Sequence, residues 1–315
     1  MRSTLSYLAL VLTSLIVLTV YLLIHDEAAK GRPLFAMKNR LGLGKHGKPV
    51  TTAKRKPVRI LCWILTMPTH YATKAISVNE TWGKRCNRLL FVSTPSNQTT
   101  DLPIVTFNLK ESRSILTNKT MLAFEYVYKN HFDEADWFIK ADDDTYVIME
   151  NLRHLLKDTD PEKRIHFGHQ FKEKNDTWFS GGSGYVLSKA ALRRYVTLGR
   201  NNNTLCPWIY SEDYYMGYCM AALGVTNGNT GDKSRKPSFL PLGFGTHLSN
   251  IAAVDWYKRI STSAIENGDN CCHKYLISIH YVSPLEMHKL DWLIYHLRLH
   301  RPSSRRRGDR DFLNL

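Results

Sequence analysis

Apolar and polar positions change their spacing several times along this chain, and each change marks a different element. Residues Leu5 to Ile24, "LSYLALVLTSLIVLTVYLLI", carry no charge over a length sufficient for a helix to cross the hydrocarbon layer of a bilayer. From His25 to about Pro57 no apolar period is sustained, and the segment reads as a flexible stem. "VRILCWILT" is then a continuous apolar run rich in β-branched residues, the pattern of a strand buried on both faces. "NRLLFVS" and "DLPIVTFN" read as further strands, "NKTMLAFEYVYKNHF" has a helical period, "ADWFIKA" is again a strand, and "VIMENLRHLLKD" again a helix. This alternation predicts an α/β sheet with helices on both faces, whose ligands gather at the carboxyl ends of the strands. No internal repeat is evident. The resulting plan is a short tail 1–4, an apolar span 5–24, a stem 25–57, a folded domain 58–300 and a polar, basic tail 301–315.

Composition narrows this plan. With 315 residues, 43% of them hydrophobic, the chain can bury a full core and is not a disordered protein. A formal net charge of +15 admits nucleic acid, a membrane surface or an acidic ligand such as a nucleotide diphosphate. Much of the charge lies in the stem (Lys30, Arg32, Lys38, Arg40, Lys45, Lys48, Lys54, Arg55, Lys56) and in the tail "RPSSRRRGDRDFLNL". A stem beyond a membrane anchor does not meet nucleic acid, so solvated linker charge is the simpler reading and no nucleic-acid partner is expected. Arg2 precedes the span while Asp26 and Glu27 follow it, which leaves the N-terminal end cytosolic and the rest luminal. A cleaved signal peptide is the rival, but the apolar run is longer than usual and no small-x-small site closes it. Five sequons (Asn79, Asn97, Asn118, Asn175, Asn202) and six cysteines (Cys62, Cys86, Cys206, Cys219, Cys271, Cys272), all beyond the span, agree with an oxidising lumen.

The candidate chemistry centres on "FIKADDDTYV", where Asp142, Asp143 and Asp144 end an apolar run. Taken alone, such a triplet is most often a solvated loop capping the next helix. An EF-hand is excluded by the missing glycine, terminal glutamate and preceding helix. A carboxylate pair at a strand end can instead hold Mg²⁺ or Mn²⁺ against a diphosphate.

Further motifs follow in order: "FSGGSGYVLSKAAL", "SEDYYMGYCM", "THL" and "CCHKYLISIHYVSPLEMHKLDWLIYHLR". With "KADDDTYV" they resemble the core 1 β1,3-galactosyltransferase family, over roughly Val58 to Arg298. The fringe-type β1,3-N-acetylglucosaminyltransferases share the aspartates and the "ED" motif but not the double-cysteine "HYV" segment. The resemblance implies a GT-A fold, Mn²⁺, inverting transfer from UDP-galactose to O-linked GalNAc on a glycoprotein, and a Golgi or endoplasmic-reticulum type II membrane protein. Assembly is left open, a homodimer included. A fringe-like transferase and a catalytically silent chaperone or binding relative are the alternatives, and retention of "DDD" and "ED" speaks against the silent one.

The resemblance also distributes roles. Asp142, Asp144 and His247 of "THL" become metal ligands, with His280 in reserve. Asp213 becomes the base that deprotonates the acceptor; on pattern alone Glu212 and Asp213 could equally serve the dipole of a helix they begin. Thr66, Lys74, Arg85, Asp142, Asp143, Gly181, Gly182, Trp256 and Tyr281 make up the expected substrate-binding set, with Gly181 and Gly182 letting backbone approach a sugar and Trp256 on the acceptor side. Related chains are aromatic-rich after "HL", whereas "SNIAAVDWYKRIS" has Lys258 where another aromatic is expected, so acceptor choice stays open. The family counterparts pair Cys62 with Cys86 and Cys206 with Cys219. Cys271 and Cys272 are left undecided, because a vicinal bridge is strained.

Overall fold

Strand β1 (Ile60–Leu65) is buried along its whole length, and its side chains alternate between two cores. Ile60, Cys62 and Ile64 pack on one face of the sheet, and Leu61, Trp63 and Leu65 on the other. This is the computed structural model of the chain, which describes residues 57–300. The apolar span 5–24, the stem up to Lys56 and the tail 301–315 lie outside the described residues. Among the described residues no helix is long and apolar enough to cross a membrane.

Around β1 the sheet grows by parallel pairing with β2 (Arg88–Ser93), which pairs with β3 (Ile104–Thr106), and on the other side with β4 (Trp137–Asp142). Short strand β5 (Tyr146–Val147) follows, then β6 (Ile165–Gly168), the hairpin β7 (Gln170–Glu173) and β8 (Asp176–Phe179), and β9 (Tyr185–Ser188). Strands β10 (Thr226–Asn227), β11 (Phe239–Leu240) and β12 (Ser278–Ile279) complete the set. The seven-stranded sheet runs β10-β6-β9-β4-β1-β2-β3. Its pairings are parallel except at β9, which lies antiparallel between β4 and β6. The "YVLS" of β9 is too short for its own periodicity to separate it from the glycine turn before it.

Helices cover both faces, as the alternation predicts. Helix Leu116–His131 sets Ala123, Phe124 and Val127 into one core, with the Phe124 ring edge-on to Trp63 at 5.0 Å. Helix Glu212–Ala222 joins the same side. Helices Met149–Leu156 and Pro284–Tyr295 pack on the opposite side through Leu152, Leu156 and Met287. Cys62–Cys86 and Cys206–Cys219 are bridged as the family pattern implied, and the adjacent Cys271 and Cys272 are bridged as well.

A second sheet, β11-β12-β5, positions the site. Strand β5 begins just after the aspartates and β12 ends just before His280, so their antiparallel register, Tyr146 opposite Ile279, brings the two together. The Val282 N–H donates to the Asp144 carbonyl at 2.9 Å and fixes the crossing.

Candidate active site

Asp142 ends β4 opposite Leu65, and the chain turns there, with the Asp143 N–H donating to the Leu65 carbonyl and the Thr145 N–H to the Asp142 carbonyl. The three consecutive acids therefore diverge. Asp143 points inward, where its Oδ2 accepts from Thr66 Oγ1 at 2.7 Å and lies 2.8 Å from His70 Nδ1. Burial pushes its carboxyl up, opposed by those two neighbours. Asp142 and Asp144 turn toward His280, and one ligand atom from each of the three falls within 4.8 Å of the others. Burial disfavours ionisation of Asp144, but His280 and Lys74 outweigh it and hold this carboxyl well below the usual carboxylate range. Lys74 Nζ donates to Asp144 Oδ2 at 2.9 Å.

The histidine tautomer tests whether these residues fit a metal. His280 Nδ1 lies 3.1 Å from the Pro241 carbonyl, an acceptor only, so Nδ1 carries the proton. In the neutral ring Nε2 then turns a lone pair toward Asp144 Oδ1 at 3.2 Å and Asp142 Oδ2 at 3.9 Å. A lone pair facing two carboxylates is repulsive unless positive charge lies between them, either a proton on Nε2, which is how His280 favours the ionised Asp144, or a metal ion in its place. Two oxygens and an imidazole nitrogen form a donor set that suits Mn²⁺.

Lys140, two residues before Asp142 on the same face of β4, sits 2% exposed beneath the site. Its Nζ donates to Asp142 Oδ1 at 2.6 Å and to the Gly181 carbonyl at 3.0 Å, and lies 3.5 Å from Glu212 Oε2. Burial alone would lower the affinity of this amine for its proton, but Asp142 and Glu212 reverse the effect and keep it charged. The Gly181 N–H in turn donates to Asp213 Oδ2 at 3.2 Å. Asp142, Lys140, Gly181 and Asp213 thus form one linked row along a cleft of about 390 Å³.

The two residues of the "ED" motif have separate surroundings. Glu212 is buried, with Oε1 accepting from Thr120 Oγ1 at 3.0 Å and from the Tyr185 hydroxyl at 2.6 Å; burial raises its carboxyl. Asp213 lines the cleft. Its Oδ1 accepts from Ser211 Oγ at 2.8 Å and the Tyr214 N–H at 2.9 Å, which orients the carboxylate. Among the described residues only the Gly181 N–H donates to Oδ2.

Of the residues expected from sequence, Asp142, Gly181, Gly182, Asp213, Trp256 and Tyr281 line this cleft together. Trp256 is 41% exposed and edge-on to Phe171, and Tyr281 is 61% exposed with its ring stacked 3.8 Å from His280. Lys74 and Asp144 adjoin the cleft through the acids, while Thr66 and Asp143 lie behind it as a buried pair. Arg85 is placed differently: its Nη1 donates to Asp291 Oδ1 at 2.7 Å and its guanidinium lies 3.4 Å from the centre of the Tyr295 ring, so its charge is already taken up by helix Pro284–Tyr295. His247 is also placed differently. It is buried in helix Phe244–Ser249 against the Tyr257 ring at 5.5 Å, with its pKa pushed down to about 4 by burial, and the histidine that converges on the acids is His280. Lys140 was missed, although its strand spacing from Asp142 is a readable signal.

The glycines have a tighter role than access for a sugar. A Cβ on Gly182 would overlap the His280 ring, and one on Gly181 would stand 2.7 Å from Glu212 Oε2. Gly182→Ala is therefore expected to displace the imidazole and weaken metal binding by roughly tenfold or more, as loss of ligand orientation does, while costing about 1–3 kcal/mol of stability for overpacking. Mn²⁺ titration of folded variant and wild type measures the first effect. Unchanged metal affinity would mean that His280 takes no part.

Residues 59–230 match a family model described as Fringe-like. A Xenopus laevis protein named glycoprotein-N-acetylgalactosamine 3-beta-galactosyltransferase 1 is 41% identical over 250 residues, which cover 78% of this chain and 68% of that one. A Mus musculus beta-1,3-glucosyltransferase is 25% identical over 182 residues, 56% of this chain and 36% of that one. Among solved structures, a glycosyltransferase involved in the glycosylation of the major capsid of PBCV-1 is 16% identical, covering 43% of this chain and 62% of that one with a TM-score of 0.29.

Proposed function

From the premise that this chain belongs to the core 1 β1,3-galactosyltransferase family and is a glycosyltransferase, we propose that it moves galactose from UDP-galactose to the 3-hydroxyl of O-linked GalNAc on glycoproteins. The observation that carries this reading is the convergence of Asp142, Asp144 and His280 in reach of one cleft with the Asp213 carboxylate. Under this reading the domain is of the GT-A type, with an N-terminal anchor at 5–24 holding it in the Golgi or endoplasmic-reticulum lumen.

Asp142, Asp144 and His280 would hold Mn²⁺. When bound, the ion supplies positive charge to the diphosphate of the departing UDP. Lys140 aims Asp142, and Lys74 aims Asp144 and helps to keep it ionised. Asp213 Oδ2 takes the proton of the acceptor hydroxyl as its oxygen bonds to the anomeric carbon and the bond from that carbon to UDP breaks. Attack from the face opposite UDP inverts the anomeric centre. Glu212, enclosed by Thr120, Tyr185 and Lys140, serves as a fixed negative partner for the ammonium.

Trp256 offers an apolar ring to the face of a pyranose on the acceptor side. Trp256→Ala is expected to raise KM for a GalNAc-peptide about tenfold, roughly 1.4 kcal/mol, and to spare UDP binding. A rise in donor KM alone would move this residue to the donor side. The reading as a whole is tested by a donor screen with the purified full chain, GalNAc-peptide and Mn²⁺. Transfer of another sugar in preference to galactose, or no transfer from a folded protein, would overturn it.

A further inference from the structure

Behind the wall of the cleft lies a second hollow of about 300 Å³, bounded by Gln170, Asn229, Thr230, Arg235, Thr262 and Ser263 with the backbone of Gly228 and Gly231. Strand alternation separates the two spaces. On β7 Phe171 faces the cleft and Gln170 the hollow; beyond the helix end at Ile260, which lines the first, Thr262 and Ser263 line the second, with the Phe171–Ser261 bridge joining the two segments. No carboxylate and no apolar side chain lines the hollow. The nearest acid in sequence, Asp232, is occupied by the N–H groups of Ser234 at 2.8 Å and Lys236 at 3.1 Å.

Arg235 gives the hollow its charge. Its backbone is held at φ +59°, a left-handed conformation costly for a residue with a side chain. The turn is fixed from both sides: the Arg235 N–H donates to the Asp232 carbonyl and the Arg235 carbonyl accepts from the Ala264 N–H, each at 2.9 Å. Among the described residues its guanidinium has no hydrogen bond or ion pair. Nor has the Ser263 hydroxyl a partner there. An arginine presented by strained backbone, beside hydroxyls and side-chain amides, matches a ligand that carries one anionic group and several hydroxyls.

We propose that this hollow is a second carbohydrate subsite, which takes an acidic sugar, carboxylated or sulfated, on the acceptor. The inference rests on the acceptor being a glycoprotein, whose glycans can meet the surface on both sides of the β7 wall that the two spaces share. Its role is acceptor choice: Arg235 pairs with the carboxylate or sulfate, while Ser263 and the Gln170 amide meet ring hydroxyls.

Saturation-transfer NMR on the full chain tests this with N-acetylneuraminic acid, N-acetylgalactosamine 6-sulfate and neutral N-acetylglucosamine as probes. At least one acidic sugar is expected to receive saturation and the neutral one not; the acid that binds identifies the anion. Arg235→Gln keeps the backbone turn and is expected to weaken that binding about tenfold, and Ser263→Ala to weaken it less. Both variants are expected to transfer to an unsubstituted GalNAc-peptide at the wild-type rate. No signal from either acid, equal signal from the neutral sugar, or binding that survives Arg235→Gln overturns the subsite. Failure of the transferase reading would show instead as absent transfer by wild-type protein, with the binding result unaffected.

Discussion

Asp213→Asn is expected to fold, to bind Mn²⁺·UDP as tightly as the wild type, and to lose about a hundredfold or more in kcat on a GalNAc-peptide. An amide has almost the shape of the carboxylate but cannot accept a proton. Its oxygen can still accept from Ser211 and the Tyr214 N–H, two bonds that hold the side chain in place although its amide NH2 then faces the Gly181 N–H, whose bond is lost. Glu212→Gln is the control: although it borders the cleft, this side chain is held by Thr120 and Tyr185 and paired with Lys140, and its loss should reduce kcat much less while lowering stability. Rapid-quench measurement of the transfer step, with urea unfolding of each variant, separates the two effects. Near-normal kcat in Asp213→Asn together with loss in Glu212→Gln would shift the base by one residue.

Asp144→Ala is expected to abolish metal-dependent UDP binding without unfolding the domain. It removes one of three converging ligand atoms and leaves Lys74 beside Asp143 at 3.7 Å, still partly compensated. Calorimetry with UDP, with and without Mn²⁺, reads the effect directly: the wild type should show a metal-dependent gain that the variant lacks. The same affinity in both proteins would assign the acid cluster to structure.

The early strands were legible because β1 and β4 are apolar on both faces, and helix Leu116–His131 because its period is long enough to recognise. The second sheet left no such trace. Two-residue strands such as β11 and β12 have no periodicity, and their pairing depends on partners distant in sequence. For that reason the choice between His247 and His280 could not be made locally: His280 faces the acids only because β12 pairs with β5. The partner of Arg85 is hidden on the same ground, since Asp291 lies in the last helix. Lys140 stood in plain view, at the strand spacing that puts it under Asp142. The diverging directions of Asp142, Asp143 and Asp144 follow from a turn that their shared chemistry does not encode.

The bond from the Val282 N–H to the Asp144 carbonyl has a consequence for how the protein is made. During synthesis the chain emerges from its N-terminal end, so the acids are exposed to the medium long before their imidazole partner has been translated. The nascent sheet can assemble around β1 and β4 at that stage, yet it holds only the acidic part of a centre. A chain interrupted between Ser238 and His280 would keep β1 and β4 but lack the histidine that faces the acids. Pairing of the last strand is therefore the step that brings His280 to Asp142 and Asp144.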